Sequence, residues 1–288
     1  MVYIEDSIMQ KGVPTTMGSK MLESFIAPFD ATVVTRLKEN NIPIAGETKL
    51  YEINDLKLCN DVSGYYRHYG KCYIQPTYGT VSRYGLIPLA CSMDQIGVAC
   101  NDLREGFELL AKIAGNDPND GAMFPEKSYE YKVLDRKIKI GGVKNLKYTD
   151  VYSQVYTILS NAEISSNDTR YDGIKFGYRT QNFKNLNELY VNTRTEAFDV
   201  KEKFSSILGA LVLSKDYYLA YYDKAMRIRR LIKESLPFDE YDVIELPPGY
   251  EMLAQLAGLP SISFGDVQLI AQAKNENALL TAWEVAYK

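Results

Sequence analysis

Cys59, His68 and Cys72 lie in one short stretch, and His68 and Cys72 stand at i, i+4 spacing. An imidazole beside a thiol can take its proton and leave a nucleophilic thiolate. Spacing alone supplies neither the geometry nor the shifted pKa that such a pair needs. The plainer reading is a loop or short helix packed by its tyrosines. Ser63 and Ser92 are the other nucleophile-type residues considered, and with no base evident beside either they read as structural. Lys224, Arg227, Arg229, Arg230 and Lys233 form a basic run that could meet nucleic-acid phosphates. Asp223 and Glu234 flank it, so a solvated helix face accounts for it better. Tyr217-Tyr218 and Tyr221-Tyr222 recur at helical spacing and read as packing rather than base stacking.

No metal or cofactor is expected. Cys59, Cys72, Cys91 and Cys100 show no C-x-x-C spacing, and His68 is the single histidine, so paired zinc ligands are missing. Glycine strings that would cradle a phosphate are also missing. A net charge of −4 gives no global field for nucleic acid or an anionic membrane, and nucleic acid is not an expected partner. The longest apolar run, around Ile207 to Leu213, is too short to span a bilayer. The opening residues lack the basic and apolar regions of a signal peptide. The expectation is a soluble, cytoplasmic protein with reduced thiols.

The elements that must position these residues alternate between helix and strand. A helix follows Asp30, read as its N-cap, through Glu39, and Ile42 to Ala45 reads as a short buried strand. A second helix runs from Asp102 to Ala114, with capping-box spacing to Glu105 and Leu103, Phe107, Leu110 and Ala114 on one face. Lys137 to Gly142 reads as a strand entering a turn, and Thr149 to Leu159 as a helix. The strongest helical signal lies between Glu196 and Glu234, broken near Ser214. Its apolar positions, among them Phe204, Ile207, Leu208, Leu211 and Leu219, exceed one stripe and predict deep burial. Tyr241 to Leu246 reads as a strand, Tyr250 to Ala257 as a helix, Ser261–Phe264 and Val267–Ile270 as strands paired across Gly265-Asp266, and Glu276 to Tyr287 as a closing helix. The fold class is α/β, a sheet covered by helices.

Several ordered strings go further. Lys11-Gly-Val-Pro-Thr-Thr-Met-Gly-Ser19, Gln75-Pro-Thr-Tyr-Gly-Thr-Val-Ser-Arg-Tyr-Gly-Leu86, Ser92-Met-Asp-Gln-Ile-Gly97, Arg170-Tyr-Asp-Gly-Ile174 and Leu256-Ala-Gly-Leu-Pro-Ser-Ile262 resemble the amidase-signature family. Within that family they are most similar to the A subunits of aspartyl/glutamyl-tRNA amidotransferases. The resemblance implies one domain over residues 1–288 with internal deletions: a trimmed amidase-signature fold with a mixed central sheet. It also implies glutamine amidohydrolysis by a Ser, cis-Ser, Lys centre.

The departures fall on that centre. The family's lysine belongs in a Lys-Asp-Asn string, and here Glu5 takes its place within Ile4-Glu5-Asp6-Ser7. A carboxylate reverses the charge and titrates several units lower. The Gly- and Ser-rich stretch expected between Leu50 and Gln75 is shorter and unrelated, and no Gly-Gly-Ser occurs in the chain. Ser205 stands where the family tends to carry a candidate substrate arginine. The expectation is a catalytically inactive binding, scaffold or regulatory subunit. Its expected partner is a protein or a second copy, and the protein candidates include a tRNA-amidotransferase-like subunit. Two other readings stay open: a repurposed hydrolase using Cys59 or Cys72 with His68, and a small-molecule binder using the vacated cleft.

Overall fold

The computed structural model describes residues 1–48, 56–60 and 72–288. Nine strands form one mixed sheet in the order β2-β1-β3-β5-β4-β8-β9-β7-β6. They are β1 (Val2–Glu5), β2 (Ile44–Thr48), β3 (Lys57–Asn60), β4 (Cys72–Gln75), β5 (Ile96–Cys100), β6 (Ile140–Gly142), β7 (Val243–Leu246), β8 (Ser261–Phe264) and β9 (Val267–Ala271). β1 runs parallel to β2 and β3, β6 parallel to β7, and the remaining neighbours are antiparallel. The two halves of the chain meet where Tyr73 and Ile74 of β4 pair with Ser263 and Ile262 of β8.

Eight α-helices are described: α1 (Thr32–Glu39), α2 (Leu103–Ile113), α3 (Tyr152–Asp168), α4 (Leu186–Ala197), α5 (Val200–Leu213), α6 (Lys224–Glu234), α7 (Met252–Ala257) and α8 (Glu276–Ala286). A π-helical turn, Leu219–Asp223, leads into α6. One sheet face is covered by α1, α2 and α8, which pack Val34, Leu37, Phe107, Leu110, Leu279 and Trp283 onto strand residues such as Ile4, Leu58, Ile74 and Val98. On the other face α3, α6 and α7 cover β7 and β9 with Tyr152, Val155, Ile232, Leu253 and Leu256. Toward β1, β3 and β5 that second face instead carries Cys59, Tyr73 and Ala99, with Lys57 also fully buried.

Most of the expected elements are present, and four readings change. Asp30 is not the cap of α1; Ala31 is, without a side-chain hydrogen bond. The Asp30 carboxylate instead receives the Lys11 N–H at 2.9 Å and Lys38 Nζ at 2.6 Å. The helix begun near Thr149 runs on to Asp168, and α4 stands where no helix is expected. α4 is capped by the Asn185 side chain, which accepts from the Glu188 N–H. The break near Ser214 is present, but α5 is not deeply buried: only Gly209 and Val212 are, while Phe204 is 61% and Ile207 70% exposed.

The reason is the helix beneath. α5 lies so close on α3 that a Cβ at Gly209 would stand 2.1 Å from the Asn161 carbonyl oxygen. Ser165 Oγ donates to the Ser206 carbonyl at 2.9 Å, and Ser206 Oγ to Asp168 Oδ2 at 2.8 Å. Small and polar residues make the contact, and the large apolar ones are left on the outside.

Candidate functional site

In an open α/β sheet, chemistry gathers at the carboxyl ends of the strands. Here β1, β3 and β4 end together at Glu5, Asn60 and Gln75, beside Asp94 and Gln95, which precede β5. The groups form one buried chain. Ser7 Oγ donates to Glu5 Oε1 at 2.7 Å, and the Asn60 N–H approaches the same oxygen at 3.5 Å. Asn60 Nδ2 donates to Asp94 Oδ1 at 2.9 Å, and Asn60 Oδ1 accepts from the Gln95 N–H at 3.1 Å. Asp94 also receives the Leu89 and Ala90 N–H groups, and burial raises its pKa.

From Gln95 the chain continues to Gln75, whose Nε2 donates to Gln95 Oε1 at 3.1 Å and to the Leu259 carbonyl at 3.0 Å. Beyond it, the Thr77 hydroxyl and N–H both donate to Glu276 Oε1, at 2.6 and 2.9 Å. Each carboxylate along this line is held by donors of the fold. That arrangement stabilises structure, and among the described residues of this line it places no free base beside a nucleophile.

Glu5 is 2% exposed, so a carboxylate occupies a buried position at the strand end. The adjacent Asp6 receives the Thr16 N–H at 2.6 Å and the Thr16 hydroxyl, which ties β1 to the segment that carries Lys11 to Ser19. Cys59 and Cys72 are not brought together. Cys59 pairs with Gly97 and Cys72 with Cys100. β5 lies between them, and three residues along it reverse the side-chain direction, so the two thiols point to opposite sheet faces. Cys59 is fully buried and Cys72 half-buried. His68 and Ser63 lie outside the described residues. Ser205 is half-buried on α5.

Ser92 does have a base beside it. Its hydroxyl and N–H donate to the two Glu163 oxygens, supplied by α3. Arg229 then donates to Ser92 Oγ at 2.8 Å, to the Ser92 carbonyl at 3.0 Å and to the Leu256 carbonyl at 2.6 Å. With its O–H donated to Glu163 and a lone pair held by Arg229, this hydroxyl is a structural link. Arg229 therefore leaves the solvated basic face: burial lowers its pKa, and it fastens α6 to α7 and to the loop before β5. Arg227 and Arg230 do sit on the surface, paired with Asp223 and Glu234. No sequence signal links Ser92 to Glu163, since the pairing arises only when α3 crosses the sheet.

Among the described residues no group of three His, Cys, Asp or Glu side chains could hold a metal ion, and no helix is long and apolar enough to cross a membrane.

The family description "Amidase" matches residues 1–61, 69–156 and 143–256. The chain belongs to the amidase family. It is 31% identical to the A subunit of glutamyl-tRNA(Gln) amidotransferase from Lachnoclostridium phytofermentans, over 91% of this chain and 74% of that protein. It is 30% identical to the corresponding protein of Caldanaerobacter subterraneus, over 100% and 82%. The first alignment spans 365 positions against 288 residues here, so this amidase-family chain lacks internal residues that its relative carries. Among solved structures, the glutamyl-tRNA(Gln) amidotransferase A subunit of Thermotoga maritima superposes with a TM-score of 0.69 at 24% identity, covering 97% of this chain and 81% of that one. The native peptide amidase of Stenotrophomonas maltophilia gives 0.73 at 16%, covering 97% and 80%, which shows the shared α/β fold.

Proposed function

We propose that this amidase-family chain is a non-catalytic binding or scaffold subunit. The observation that carries the reading is Glu5: a buried carboxylate, engaged by Ser7, stands where the resemblance calls for the proton-relaying lysine. A carboxylate there cannot deliver the charge or the pKa of an ammonium. The absence of a Gly-Gly-Ser string from the sequence points the same way, as do Asp94 and Glu276, whose carboxylates are engaged by Asn60 and Thr77. Binding is favoured over a purely vestigial role by the apolar face on α5, which a monomer in water would not gain from exposing. Relatives whose name makes them the A subunit of an amidotransferase fit a chain that works in an assembly.

The test is ammonia release by the purified full chain from glutamine, asparagine and a simple primary amide. No release above the buffer rate is expected. Release that one point substitution abolishes would overturn the reading.

A further inference from the structure

Ser263 and Gln268 are polar side chains closed off from water, at 2 and 4% exposed. Ser263 Oγ and both Nε2 and Oε1 of Gln268 have no hydrogen-bond partner among the described residues. Buried polar groups are nearly always hydrogen-bonded, so three such atoms at one place call for bonds from outside the fold. The two residues face each other. Ser263 stands opposite Gln268 across β8 and β9, and Gln268 opposite Leu246 across β9 and β7, so these side chains share one sheet face. They line a cleft of about 70 Å³, with Leu246, Pro248 and Val267 as apolar walls and Glu251 and Asp266 as its carboxylates. The cleft opens where β7 ends and β9 begins, at the far end of the strands from Glu5 and Gln75.

We propose that this cleft binds a small polyol through a vicinal diol. The inference goes beyond the non-catalytic reading and does not depend on it. The Gln268 amide decides the class, because it both donates and accepts. An ionised carboxylate only accepts, so it would leave Gln268 Oε1 unpaired and meet the charges of Glu251 and Asp266. An ammonium group only donates, so it would leave Gln268 Nε2 unpaired. A hydroxyl does both, and suits the Ser263 hydroxyl in the same way. Size sets the number. At about 30 Å³ for each water in the liquid, the cleft has room for roughly two hydroxyl-sized groups. Two hydroxyls on adjacent carbons let one oxygen accept from Nε2 while the other donates to Oε1. The rim separates a polyol from a carboxamide. With Gln268 Oε1, Ser263 Oγ, Glu251 and Asp266, the cleft is richer in acceptors than in donors, and every further hydroxyl of a polyol brings another donor. The C–H faces of such a ligand rest on Leu246, Pro248 and Val267.

The test titrates the full chain and reads the backbone N–H signals of Gly265, Asp266 and Val267 by NMR. Propane-1,2-diol is expected to shift them in a saturable way at millimolar concentration. Propane-1,3-diol has the same atoms without the vicinal pair, and is expected to bind about tenfold more weakly, as are acetamide and acetate. Gln268→Met and Ser263→Ala remove groups that no described partner in the fold holds. Both chains are expected to keep the wild-type circular dichroism and Tm and to lose the saturation. The comparison of the two isomers on the wild-type chain decides the matter even where a variant fails to fold. No saturable shift with the 1,2-diol, equal binding of the two isomers, tighter binding of acetamide or acetate, or binding that survives Gln268→Met would each overturn the proposal. Ammonia release bears on Glu5 alone, so the two proposals fail independently.

Discussion

Helices α2 and α5 are of similar length and apolar content, yet they bury opposite residues. α2 puts Leu103, Phe107, Leu110 and Ile113 inward and leaves Arg104, Glu105, Glu108 and Lys112 in water. α5 puts Gly209 and Val212 inward, and Val200, Phe204, Ile207 and Leu211 outward. The first is a helix that a sheet has accepted as its cover. The second rests on another helix through Gly209, Val212 and small polar residues, and its outward stripe adds nothing to the monomer's core. Apolar content thus measures how much surface a helix offers for burial. It does not say which neighbour will cover it.

The contrast can be broken at the cores first. Phe107→Ala, at a 2% exposed site in α2, should cost about 3–5 kcal/mol, read as a fall in the urea midpoint. Next come the two contact glycines. Gly209→Ala sets a methyl group against the backbone oxygen of Asn161 and should cost roughly 1–3 kcal/mol. Gly106→Ala on α2 meets side-chain atoms, Ile74 Cδ1 at 2.6 Å and Cys100 Sγ at 2.7 Å, which can shift where a backbone oxygen cannot. The better helix propensity of alanine offsets part of the strain, so its cost should be smaller, about 1 kcal/mol. Equal costs at the two glycines would remove the distinction drawn between the helices.

A smaller effect depends on pH. Asp168, which joins α3 to α5 through Ser206, is raised from 3.8 to about 6, first by burial, with the Ser206 hydrogen bond pulling the other way. Between those values the unfolded chain has already lost the proton that the folded chain keeps. Stability therefore falls as pH rises from about 4 to about 6, and the cost persists above that. Asp168→Asn keeps an acceptor for Ser206. It should stabilise at pH 7.5 by on the order of 1 kcal/mol, about 2–4 °C in Tm, and add nothing near pH 3.5. The smallest change is expected at Ile207→Ser, within about 0.5 kcal/mol by chemical denaturation of the monomer, because that side chain already faces water.

What can be read in the sequence follows from where each cause lies. α2 carries its cap and its stripe within a dozen or so positions, and Asp102 does accept the Arg104 and Glu105 N–H groups. The hairpin of β8 and β9 is marked by Gly265-Asp266 between two apolar runs. β5 escapes such a reading because Ile96–Cys100 is buried on both faces, which erases the alternation that marks a strand. Arg229 looks like its solvated neighbours because no local rule separates the charge that turns inward toward Ser92. At the site, Glu5 is recognisable as a departure from resemblance alone. Its partners Ser7 and Asn60, and the line through Gln95 to Gln75, require the strand order.

That strand order has a consequence in time. The N-terminal strands and the C-terminal strands join at a single seam, where Tyr73 lies opposite Ser263 and Gln75 opposite Ser261. Contacts so distant along the chain close late, after the entropy of a very long loop has been lost. Refolding should accordingly be slow. Until the seam forms, β4 and β8 each keep an open edge, and each can pair with a neighbouring chain instead of with the other.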